Sequence, residues 1–158
     1  MATLPVGLHR LEELMKHCLE TAKQLLEANG AFFPFGAVID IGGKRVSVAV
    51  DTGKHDVRTP DVYQFIQRSM RDRFFKGEIV AGAIVAEVSI PPELTPDYPQ
   101  GVRIAVESNS VSRIVFLPCN RLSPESAGGT PGPAKFAYGE LIGVDVRPTL
   151  FVPDQPPQ

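Results

Sequence analysis

The stretch EIVAGAIVAEVSI, residues 78–90, is apolar on both of its alternating faces for most of its length. A β-strand turns successive side chains to opposite sides, so a strand of this kind is stable only where both sides are covered. That makes it a central strand, and it commits the chain to a layered fold in which a sheet carries helices.

The flanking segments supply those layers. In LHRLEELMKHCLETAKQLLEA, residues 8–28, Leu8, Leu11, Met15, Cys18, Ala22, Leu25 and Leu26 recur at helical spacing, which predicts an amphipathic helix ended by Asn29-Gly30. TPDVYQFIQRSMRDRFF predicts a second helix. Thr59 is its expected capping side chain, Pro60 suits the first turn, and Asp61 faces the positive end of the dipole. Its expected inner stripe is Val62, Phe65, Ile66, Ser69, Met70 and Phe74, with Gly77 as the stop. Between the helices, residues 35–41 and 45–51 read as strands joined by a tight turn at Gly42-Gly43. After PPELTPDYPQG, whose prolines interrupt any ladder, VRIAVES and VSRIVFLPC alternate across SNS as a second hairpin. FAYGELIGVDV reads as a last strand interrupted by glycines.

The expected fold class is α+β, an antiparallel sheet of five to six strands with two helices covering a face, in the order α-β-β-α-β-β-β. Profilin-like and roadblock-like domains have a similar order, an analogy of fold that implies no function. A single domain is expected over residues 1–150, with a flexible loop at 119–135 and a Pro-rich tail at 151–158.

Composition narrows the function classes. With 158 residues, 43% hydrophobic and 22% charged, the chain is long enough for one buried core and ordinary for a water-exposed globule. A net charge of −2 with scattered Lys and Arg argues against nucleic acid, which needs clustered cations. No apolar run reaches bilayer length, so no membrane partner is expected, and MATLPVGLHRLEEL lacks the pattern of a signal peptide. The expected location is the cytoplasm. Cys18 and Cys119 are too few for a disulfide framework.

Few residues suggest chemistry. His9, Glu13 and His17 share a side of the first helix, but it is the side opposite the apolar stripe, so a solvated face with intrahelical pairs accounts for them and no metal site is expected. Gly42-Gly43-Lys44 lacks the upstream glycine and following helix of a phosphate loop, and no cofactor is expected. Cys18 belongs to the helix stripe. Cys119, at a strand end after Pro118, is either a buried thiol, as a cytosolic pair most often is, or an exposed one, with Arg121 near it in sequence and no nearby histidine. If Arg45, Arg103, Glu107, Arg113 and Glu140 share a sheet face, they either line a charged binding surface or face water. Phe32-Phe33-Pro34-Phe35 holds an extended chain with large apolar area, which either plugs the junction of helix and sheet or offers a partner or dimer surface.

Asp51-Thr52-Gly53 is the tripeptide that carries the catalytic aspartate in aspartic proteases, and LIGVDV at 141–146 resembles the bracing segment of the retroviral type. With one such aspartate per chain, that reading implies a dimer in which two Asp51 carboxylates share a proton. Lys54 and a helix beginning a few residues later speak against it, and a plain strand end explains the tripeptide. Asp51 is thus the one catalytic candidate.

FFPFGAVID, followed by VSVAVDTG, VFLPC and FAYGELIG, resembles a family of small uncharacterised bacterial proteins with a Phe-Phe-Pro-Phe-Gly-Ala segment leading into a strand. The likeness runs from about Leu11 to Gly143, and FFPFGA is its most specific part. In that pattern a tyrosine commonly stands where this chain has Asp51, and an aromatic where it has Cys119. The resemblance brings no catalytic residues. The leading expectation is a non-enzymatic domain that binds a protein or a small ligand, with a homodimer as one form it can take. The alternatives are a dimeric aspartic hydrolase using Asp51 and a small-molecule sensor with a pocket between sheet and helices.

Overall fold

The computed structural model describes residues 7–50, 58–122 and 135–148. Along the chain run α1 (Leu8–Asn29), β1 (Phe35–Asp40), β2 (Arg45–Val48), α2 (Thr59–Phe75), β3 (Ile79–Ser89), β4 (Gln100–Ser108), β5 (Ser112–Leu122), β6 (Lys135–Tyr138) and β7 (Ile142–Asp145). The α+β class and the order of elements match expectation, with seven strands because the last expected strand is divided in two. Among the described residues no helix is long and apolar enough to cross a membrane.

Local chemistry fixes the ends of these elements. Gly30 adopts φ 79° and donates its N–H to the Leu26 carbonyl at 2.7 Å, a left-handed stop that a side chain would strain. The hairpin turn between β1 and β2 has φ 88° at Gly43, and Asp40 holds it by accepting the Lys44 N–H at 2.8 Å. At α2 the expected cap is corrected. Arg58 occupies the N-cap position, no side chain caps the helix, and Thr59 is already helical. Pro60 in the first turn and Asp61 beside the free amides start the helix instead.

The strands form one antiparallel sheet in the order β2-β1-β3-β4-β5-β6, with β7 also beside β5. Register decides the faces. In β1, Ala37 and Ile39 pack under α1 while Val38 packs under α2, and in β3 Ala83 and Val85 separate from Ile84 in the same way. The helices therefore lie on opposite faces of the sheet, not together on one as expected. This is the arrangement that covers the doubly apolar strand. On one side Leu11, Leu14, Cys18, Leu19, Ala22 and Leu26 of α1 are buried, and on the other Val62, Ile66 and Met70 of α2. Leu8 and Phe65, expected in the stripes, are instead largely exposed.

The outer margin of β5 is built around a proline. Ser112 and Pro118 turn their carbonyls to the same side, accepting N–H groups from Val146 at 3.2 Å and from Gly139 at 2.8 Å. Both β6 and β7 therefore lie along this one edge. Cys119 faces Tyr138 and Phe116 faces Ile142, so the outer strand carries one residue more than β5 over that interval, a bulge at Gly139–Leu141. Pro118 has no N–H to offer there, and the ladder yields at the position where it has no donor. The strand β5 itself continues to Leu122, past the start of the expected loop, and β6 begins at Lys135. The rest of that loop and the Pro-rich tail lie outside the described residues.

Candidate functional site

Helix α1 lies chiefly across β1, β3 and β4, with a smaller contact to β6. The same face of β5 therefore runs on beyond the helix. It presents Arg113, Val115, Leu117, Cys119 and Arg121, because Val106 and Val102, which pack under α1, pair with Arg113 and Leu117. The outer strands add Phe136, Tyr138 and Asp145 to this face. A trough results, walled by α1 on one side and floored by β5.

Tyr138 bridges the trough. Its hydroxyl donates to Glu27 Oε1 at 3.1 Å, and Lys23 Nζ lies 4.9 Å from its ring centroid. Burial first, then the acceptor Glu27, pushes the phenol up to about 12. Recesses open towards either end of α1.

The larger recess, about 590 Å³, lies beside the first half of the helix. Its walls are Leu8, Leu11 and Met15 from α1, Val106 and Val115 from the sheet and Val111 from the turn between β4 and β5, so the apolar core is continuous with its lining. Four charges rim it. Glu12 and Lys16 come from α1, and Arg113 donates to Asp145 Oδ1 at 3.0 Å across the β5–β7 pair. Two cations and two anions leave the rim neutral.

The smaller recess, about 410 Å³, lies at the C-terminal end of α1 among Leu26, Gly30, Glu87, Gln100, Cys119, Arg121 and Phe136. Glu87 Oε1 accepts the Phe32 N–H at 3.1 Å, and desolvation holds its pKa above the usual carboxylate range despite that bond. Of the two readings of Cys119 the buried one holds: it lies in the floor, and burial followed by the charge of Glu87 raises its pKa. A thiol held neutral is a poor nucleophile. Cys18 is fully buried in the core, as its place in the stripe implied, and is pushed up to about 12 by burial.

The charged strand residues do not share a face, which corrects that expectation. Arg45, paired with Ile39, and Arg113, paired with Val106, lie on the α1 side at opposite ends of the sheet. Arg103 and Glu107 lie on the α2 side. The Arg103 guanidinium sits 5.3 Å from the Tyr63 ring centroid with its Nε unpartnered, and Glu107 is only 2% exposed. Glu140 is exposed at the bulge, outside any strand. Of the binding-surface candidates, Arg113 alone lines one of these two recesses.

Phe32 and Phe35 meet edge to face at 5.4 Å and pack on the core beneath α1, as a junction plug would. Phe33 is 43% exposed beside them. His9 and Glu13 pair at 3.0 Å on the solvated side of α1, whereas burial and then Arg45 lower the pKa of His17. Among the described residues no three His, Cys, Asp or Glu groups come together as a metal site would require. Asp51, with Thr52, Gly53 and Lys54, lies outside the described residues.

Sequence reasoning missed Glu87, Gln100 and Phe136. One signal was present: the Glu at the end of an otherwise apolar central strand. Comparison with known proteins gives no matching family model, no matching curated protein and no matching solved structure, so the geometry of the trough alone carries the functional argument.

Proposed function

We propose that the chain is a non-enzymatic, cytoplasmic ligand-binding domain, and that the recess beside the first half of α1 takes an uncharged, largely apolar small molecule. One observation carries this reading: the apolar core opens to solvent in a recess of about 590 Å³, bordered by a charge-neutral rim. Sites for small ligands have this character, a concave apolar surface of roughly 300–1,000 Å³ with a few orienting polar groups. A neutral rim gives no net attraction to a charged ligand, while Ser110 and Ser112 supply hydroxyls to orient a polar end. Two free buried thiols suit a reducing compartment.

The test is a fluorescence titration with N-phenyl-1-naphthylamine, an uncharged probe that brightens in apolar surroundings. Saturable one-to-one enhancement is expected. Met15→Glu, which puts a charge into a partly exposed wall, should weaken it about tenfold or more. Enhancement that never saturates, or a Met15→Glu protein that titrates like the parent, would refute the assignment.

A further inference from the structure

The recess at the C-terminal end of α1 has a different chemistry and stands independently of the apolar one. We propose that it is a second site, for a small organic carboxylate, with the ligand's carboxylate on the Arg121 guanidinium and facing the carboxyl group of Glu87.

Arg121 belongs to β5 and pairs with Phe136, so it stands on the trough side. Its guanidinium is held over the end of the helix, where a Cβ on Gly30 would come within 3.3 Å of Nη1. Gly30 thus both stops α1 and leaves room for the cation. Among the described residues Arg121 enters no ion pair. An unpaired guanidinium in a cleft is a planar fork suited to a carboxylate. Leu26 and Phe136 supply apolar walls for the body of the ligand, and Gln100 adds an amide. The volume, about 410 Å³, suits a molecule of roughly ten heavy atoms.

Glu87 decides the pH dependence. The groups around it are Ser89 on its own strand, Gln100 on β4, Cys119 and Arg121 on β5, and the Phe32 N–H that it accepts. Farther along the trough Lys23, Glu27 and Tyr138 are engaged with one another. Cys119 stays neutral, so it adds no charge near neutral pH. A second carboxylate placed beside Glu87 disfavours its ionised form, and burial already acts in that direction. Ligand binding then takes up a proton. Affinity rises as pH falls towards the titration range of Glu87, until the ligand itself is protonated near about pH 4–5.

The experiment follows backbone amide shifts on adding phenylacetate, with uncharged phenylacetamide as the control, at pH 5.5 and 7.5. Phenylacetate should shift the amides of Gly30, Cys119, Arg121 and Phe136 saturably, and several-fold more tightly at pH 5.5. Phenylacetamide and the Arg121→Gln protein should each show binding weakened about tenfold. Glu87→Gln, which fixes the uncharged form, should bind phenylacetate alike at both pH values. Both variants change partly or fully exposed side chains, and the spectra themselves report whether the fold is retained. The proposal is overturned by equal binding of phenylacetamide, by an unchanged Arg121→Gln titration, by a pH dependence surviving in Glu87→Gln, or by shifts confined to Leu8, Met15 and Val111.

Discussion

The two faces of the sheet are packed by different means. Beneath α1, a long helix lays six buried side chains across a floor rich in alanine, Ala37, Ala81 and Ala83, so the space is filled mainly from the helix. Beneath α2 three buried helical residues meet Val38, Ile79 and Ile84, and the helix comes close because β1 carries Gly36 there. A Cβ at Gly36 would lie 2.4 Å from Met70 Cε and 2.6 Å from the Ala83 carbonyl. One face is held by volume, the other by close approach. On the face held by volume, β5 lies at the margin of its helix, and the trough with its two recesses opens there.

The contrast predicts opposite weaknesses. Deleting volume should hurt most under α1: Leu14→Ala, at a fully buried position, is expected to lower stability by about 2–5 kcal/mol in denaturant unfolding. Adding volume should hurt under α2, where Gly36→Ala is expected to lose about 1–3 kcal/mol. A Gly36→Ala protein as stable as the parent would show that Met70 moves aside freely, and the contrast would fail. The smallest effect is expected on the outer side of α2. Phe65 is 63% exposed, so Phe65→Ser should change the unfolding free energy by no more than about 0.5 kcal/mol. A loss well above that would mean that this side of the helix is covered in solution.

Periodicity made the helices and most strands readable, because both follow from local alternation of apolar and polar side chains. It failed where width mattered. Leu14 and Leu19 fell outside the expected stripe of α1, yet both are buried, since a helix on a broad sheet buries a wider arc than a narrow seam. The placement of the helices on opposite faces depends on how the chain crosses the sheet, and no local pattern records that. The face of Arg113 was legible in principle. The short turn SNS sets the register of β4 against β5, and that register puts Arg113 opposite the core residue Val106. The two recesses were not legible, for each is lined jointly by α1 and by strands distant from it in sequence, and no local pattern records that meeting.

The proline in β5 has a consequence for how copies of this molecule can meet. Exposed strand margins are where one sheet recruits another, through rows of unpaired amides and carbonyls. Here Pro118 and the extra residue opposite it break one margin into two runs of four residues, and β2 at the other margin is also four residues long. Among the described residues neither border offers a continuous template for end-to-end polymerisation. Among the described residues, self-recognition by a pair of these molecules falls to side chains on its surfaces, which can be altered one substitution at a time without unravelling the sheet.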